Sequence, residues 1–158
     1  MNIQPILEDF IKVCKLAKVD IKIQDITVEI LLAGDNHLPK KLPSGKMAVY
    51  IFTDPQCNIC YKVGKVGRNS NARYQAQHYS PFSSKSNLAK SILNDDEINE
   101  IVEVQLDIGS WIRKNTTRTN LLIDAQKGIL VLNLLEAFVQ NRLKPKYEGF
   151  KSQNINNR

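Results

Sequence analysis

None of the apolar runs in this chain approaches the ~18 residues that a membrane span requires. The opening stretch, MNIQPILEDF, lacks the basic start and apolar core of a secretory signal. Cysteine is scarce and odd in number, three in all, which excludes a self-contained disulfide framework. These absences lead us to expect an intracellular protein, cytoplasmic or nucleoid-associated, without membrane contact. Cys57 and Cys60 form a C-x-x-C, but a structural zinc centre needs two more ligands. Cys14, His37 and His78 offer no second closely spaced pair, so free reduced thiols are expected. Acid is scarce outside one stretch. Asp95, Asp96, Glu97, Glu100, Glu103 and Asp107 put six acids into thirteen residues without a base, and the whole chain still carries +6. A basic body with one segregated acidic segment suits a polyanionic partner, although a solvated lysine-rich surface gives the same arithmetic.

The 158 residues suffice for one core, and no internal repeat is visible. Ile3, Ile6, Leu7, Phe10, Ile11, Cys14 and Ala17 recur at helical spacing. Ile21 to Ala33 fits either a short strand or the end of a helix. Pro39 to Lys46, with two prolines and a Ser-Gly pair, is a turn-rich connector. Met47 to Thr53 (MAVYIFT) has strand composition, Asp54-Pro55-Gln56 turns the chain, and Tyr61 to Val66 returns it antiparallel. A helix carrying Arg73 and Tyr74 then runs until Pro81. Ser83 to Ser86 is a polar loop, Leu88 to Leu93 and Ile108 to Asn115 read as short helices, and Asp95 to Leu106 is of mixed pattern. Thr119 to Asp124 is the third strand, and Ile129 to Leu143 is a long helix closed by Pro145. The fold expected is α+β: a small three-stranded antiparallel sheet flanked by helices, with an N-terminal helical appendage. The divisions expected are an N-terminal extension over 1–46, a main domain over 47–150 with an insertion at about 82–115, and a disordered tail over 151–158.

Strand alternation sets Val49, Ile51 and Val63 on one face and Tyr50 and Lys62 together on the other. A phenol beside an ammonium is a plausible base, because positive charge favours phenolate; an edge tyrosine on a lysine stem is the plainer alternative. Tyr61 and Lys65 fall on the face of Val63, unless a bulge at Gly64 turns Lys65 round. Arg73 offers a guanidinium suited to phosphate oxygens, or else an ordinary surface charge. On an unbroken helix His78 lies about 140° from Arg73, so it is a secondary candidate. Glu136 stands out in ILVLNLLEAFV, with Leu132, Asn133, Val139 and Gln140 three and four residues away. Burying an unpaired carboxylate costs several kcal/mol, about as much as a metal ion or a distant base would recover.

In combination these residues resemble the GIY-YIG nucleases. Ala48-Val49-Tyr50 stands where that family has Gly-Ile-Tyr. Lys62-Val63-Gly64, after eleven intervening residues, stands where it has Tyr-Ile-Gly. Arg73 falls at the place of the family's helix arginine, and Glu136 at that of its metal-binding glutamate. Lys144-Pro145-Lys146-Tyr147 resembles the Lys-Pro-x-Tyr that follows. The match spans about Met47 to Gly149. It departs at Lys62 for tyrosine, at Glu148 for asparagine and at Gln77 for the usual His or Tyr.

The resemblance implies a metal-dependent endonuclease that hydrolyses DNA phosphodiesters. Glu136 would hold Mg²⁺ or another divalent cation such as Mn²⁺, Tyr50 helped by Lys62 would take a proton from water, and Arg73 would stabilise developing charge. Lys65, His78 and Tyr147 are secondary candidates. Tyr50, Arg73 and Glu136 should then converge on one cleft. DNA is the expected partner, and a homodimer would allow both strands to be cut. Two alternatives stand beside this reading: a non-cleaving nucleic-acid-binding module of the same fold, and a protein-interaction domain that docks through the acidic segment.

Overall fold

The computed structural model describes residues 1–34, 37, 38, 40–82, 88–98 and 100–147. The expected tail over 151–158, the Ser83 to Ser86 loop, Pro39 and Glu148 lie outside the described residues. The chain is α+β. Four antiparallel strands, β1 (Thr27–Leu31), β2 (Lys46–Thr53), β3 (Cys60–Val66) and β4 (Thr117–Asp124), form one open sheet in the order β1-β4-β2-β3. The helices are α1 (Gln4–Leu16), α2 (Asn71–Gln75), α3 (Leu88–Leu93), α4 (Val102–Leu106), α5 (Ile108–Asn115) and α6 (Ile129–Leu143).

The sheet is covered on both sides. Met47, Val49, Ile51, Val63, Leu121 and Ile123 face α1 and α6, where Phe10, Leu132, Leu135 and Val139 are fully buried. Ala48, Tyr50, Phe52 and Leu122 face the other way, onto Tyr74, Tyr79, Leu88, Ile92 and Ile112. The central strand β2 therefore reads as a continuous apolar run instead of an alternation, since both its faces need apolar cover. Pro5 opens α1, where its missing N–H costs nothing, and the stripe Ile6, Leu7, Phe10, Cys14 is the buried one.

Two elements differ from expectation. The sheet has four strands, because the stretch left open between strand and helix supplies β1, which pairs with β4. Its alternation is weak because it is an edge strand with little cover: Val28 and Ile30 are exposed. The helix after β3 also stops early. It ends at Gln75, Ala76 leaves helical geometry at φ −127°, and a single 3₁₀ turn, Gln77–Tyr79, follows. That break lets Tyr74, His78 and Tyr79 all bury against the sheet.

The other edge strand, β3, is anchored from three directions. It pairs with β2 along one side. At its start the chain leaving α6 returns to it, after a left-handed turn at Lys144 (φ 47°), and the amides of Lys146 and Tyr147 donate to the carbonyls of Cys60 and Tyr61 at 2.9 and 3.0 Å. Near its other end Gly64 lies directly opposite Tyr50, whose ring covers it. A Cβ at position 64 would sit 2.3 Å from the Tyr50 hydroxyl oxygen and 2.5 Å from Cζ. The ring has no room to retreat, being packed on His78 and Phe52. Gly64→Ala is therefore expected to lose about 1–3 kcal/mol of stability, as overpacked cores do, read as a shift in urea midpoint at unchanged m value.

Candidate functional site

Pairing register confirms the side-chain alternation expected for Tyr50 and Lys62. Ala48 pairs with Val66, Tyr50 with Gly64 and Phe52 with Lys62, so Tyr50 and Lys62 share the face opposite Val49, Ile51 and Val63. Tyr50 is fully buried and Lys62 is 4% exposed. The Tyr50 ring lies 4.4 Å from that of His78 and 6.0 Å from that of Phe52. His78, placed away from the site by a helical wheel, is thus the nearest imidazole to Tyr50. The wheel presumed an unbroken helix, and the helix breaks at Ala76.

Tyr61 leaves the face assigned to it. The register slips between Phe52 and Thr53: Phe52 pairs with Lys62 and Thr53 with Cys60. This irregularity frees Tyr61 to join the Tyr50 side, where it donates to Asp54 at 3.0 Å and stacks on Tyr147 at 5.6 Å. The slip falls at the start of β3 and not at Gly64, so Lys65 keeps the face given by alternation. Tyr147 in turn donates to Asp95. Burial, followed by the hydrogen bond to a carboxylate, drives the hydroxyl pKa of both Tyr61 and Tyr147 well up, which suits them as donors and not as bases.

Glu136 finds its base outside its own helix. Its carboxylate takes the Lys65 ammonium at 2.5 Å, with the two side chains 17% and 35% exposed. The pair sits on the α1/α6 side of the sheet, since Lys65 lies across from Val49. Tyr50 and Glu136 therefore do not share one cleft, as had been expected. They approach β3 from opposite faces at consecutive residues, Gly64 and Lys65. Arg73 projects exposed from α2, near enough to His78 to disfavour its protonation.

Arg118 went unnoticed in the sequence, yet it organises the buried face. It is wholly buried, and its guanidinium lies 4.8, 5.3 and 5.5 Å from the ring centres of Tyr74, Phe52 and Tyr50. Nε donates to Asn120 at 2.8 Å, and Nη1 to the Tyr79 hydroxyl at 3.3 Å. Asn120 and Tyr74 both donate to Glu29 at 2.7 Å, so the nearest carboxylate is reached through neutral groups. Cation–π contact substitutes for part of the hydration lost. An arginine inside a β-branched strand carries no sequence signal of burial; only its position two and four residues before Asn120 and Leu122, on the face they share, hints at its side.

Two histidines lie beside this cation. Burial, and then Arg118, Lys62 and Arg73, hold the His78 imidazole well below its ordinary pKa. Burial lowers that of His37 to about 4, against a hydrogen bond from its Nδ1 to the Thr116 carbonyl at 2.7 Å. Both are neutral when folded at pH 7. The unfolded chain binds protons below about pH 6.5 while the folded chain resists them, so stability falls as pH drops from 6.5. For His37 alone the loss is about 2 kcal/mol at pH 5. Urea titrations at pH 7 and pH 5 should show the decline, and His37→Gln should flatten it; an unchanged midpoint would contradict it.

Among the described residues no group of three or more His, Cys, Asp or Glu side chains is placed to hold a metal ion, and Cys14, Cys57 and Cys60 are free thiols. Glu136 is a single oxygen donor. That suits only a hard cation such as Mg²⁺, which often takes one or two carboxylates and completes its shell with water and substrate phosphates, and only once Lys65 gives way. The fold class is thus an α+β domain with a four-stranded open antiparallel sheet. Compared with family models, curated proteins and solved structures, the chain matches none of them.

Proposed function

We propose that this chain is a metal-dependent endonuclease acting on DNA, of the GIY-YIG kind, with its site built around the free rim of β3. The observation that supports the reading is that residues of several motifs reach that one strand, Tyr50 from one face and Glu136 from the other. Tyr50 lies over Gly64, Glu136 grips Lys65, and the Lys146-Tyr147 backbone bonds to Cys60 and Tyr61. Four separate stretches that resemble the family's motifs meet there, although they are spread from residue 48 to residue 147.

A phosphodiester at the rim would meet a phenol from one face and the Lys65–Glu136 pair from the other. Tyr50, buried in the resting fold, would take a proton from water admitted over Gly64, with Lys62 on the same face of the sheet. Arg73, exposed on α2, offers paired N–H donors to oxygens that gain charge. Lys65, released from Glu136, places its ammonium beside the leaving oxygen. Glu136, freed from Lys65, would be the residue to hold a divalent cation, which would supply further neutralisation of the phosphate.

A second reading has its own support. Tyr50 is fully buried and Glu136 is already neutralised by Lys65, an arrangement equally suited to a nucleic-acid-binding module that does not cut. Plasmid incubated with the protein and Mg²⁺ separates the two. The nuclease reading expects nicked or linear product, reduced about 10²-fold or more by Glu136→Gln and by Tyr50→Phe. DNA retention without any nicking would give the second reading the better account.

A further inference from the structure

We propose that the groove between the Leu42–Gly45 turn and the Arg68–Asn71 loop is a binding track for the phosphate backbone of duplex DNA. The inference rests on the nucleic-acid reading above and says where that substrate enters. The groove encloses about 690 Å³, and Lys41, Ser44, Gly45, Arg68, Asn69 and Asn71 line it without any acid. Its walls are held by backbone geometry. The Lys46 amide donates to the Pro43 carbonyl at 3.1 Å, Gly45 takes φ +72°, and the Ser70 amide donates to Gly67 at 3.2 Å. Asn71 Oδ1 accepts the Leu42 amide at 2.9 Å and so ties one wall to the other.

The cations here differ from those whose charge is already spent in an ion pair. Lys46, Lys65, Lys127 and Lys146 each hold a carboxylate. Among the described residues Lys41 and Arg68 are exposed and have no ion-pair partner, so they meet an incoming anion without first breaking a contact. Ser44, Asn69 and Asn71 add neutral polar groups of the kind that fix register on a sugar–phosphate backbone. The location also suits a substrate track. One wall immediately precedes β2 and the other immediately follows β3, at the end of the sheet where Ala48 pairs with Val66. Lys65 is the residue before Val66, and Arg73 projects from the helix that starts at Asn71. A duplex laid in the groove would run on to the β3 rim.

The test is binding of a fluorescently labelled DNA duplex, followed by anisotropy between about 50 and 200 mM salt with divalent ions chelated. Because no divalent cation is present, the readout is independent of cleavage, and the track can stand or fall apart from the nuclease reading. The parent should bind with a salt-dependent affinity. Lys41→Ala with Arg68→Ala should weaken binding and lower the salt slope by about 2, roughly one unit per lost phosphate contact. Lys15→Ala with Lys18→Ala, exposed cations at the end of α1, should change neither. A double groove variant that keeps the parent slope would overturn the proposal. So would parent protein that binds vesicles of anionic phospholipid as tightly as the duplex, with the same sensitivity to the groove variants.

Discussion

The arrangement depends on a side chain that is not there. Gly64 leaves the middle of an edge strand uncovered, and the Tyr50 ring fills the space, its hydroxyl where a Cβ would otherwise begin. Close packing elsewhere gives the ring no other home: Phe52 and His78 flank it and Arg118 lies over it. The phenol is thereby carried from a central strand out across an outer one. A residue of β2 can contribute at the rim of β3 only because β3 narrows to backbone at that point. Lys65 then points through the other face to Glu136, so one dipeptide links two otherwise separate layers.

Charge on the buried face follows a second constraint. Arg118 cannot shed its proton, and it is enclosed by aromatic rings, an amide and a phenol, with Glu29 held one group further away. Retaining such a cation is expensive unless the neighbourhood is arranged for it. The neighbourhood is arranged: the rings present negative faces, and the imidazoles nearby stay neutral. This makes the face intolerant of further positive charge, and it sets the acid sensitivity of the fold. In the groove, by contrast, Lys41 and Arg68 are exposed and meet solvent.

Much of this was legible in the residues, for identifiable reasons. Period-two alternation placed Tyr50 and Lys62 on one face because β2 and β3 pair without a slip between Ala48 and Phe52. Apolar spacing located α1 and α6, and Pro145 marked the turn after α6. What stayed hidden depended on tertiary cover. β1 is an edge strand whose apolar residues are half exposed, so it gave only a weak alternation. Tyr61 crosses faces at a register slip that no local residue announces. His78 could be placed only by knowing that α2 stops after Gln75. For Glu136 the residues left two outcomes, a metal ion or a distant base, and the structure shows the second: Lys65, whose identity and face relative to Tyr50 were not visible. Arg118 is hidden because arginine is ordinarily a surface residue and its cover comes from rings distant in the chain.

The central claim is that the rim of β3 at Gly64 and Lys65 is where a bound phosphodiester and its divalent cation meet the protein. Paramagnetic broadening by Mn²⁺ tests it directly, read on backbone amide resonances in the presence of a cleavage-resistant phosphorothioate duplex. The account predicts that the amides of Gly64, Lys65 and Glu136 broaden first, and that Glu136→Gln abolishes the effect. Broadening confined to the acidic segment around Asp95 and Asp107, with the β3 amides untouched, would contradict it.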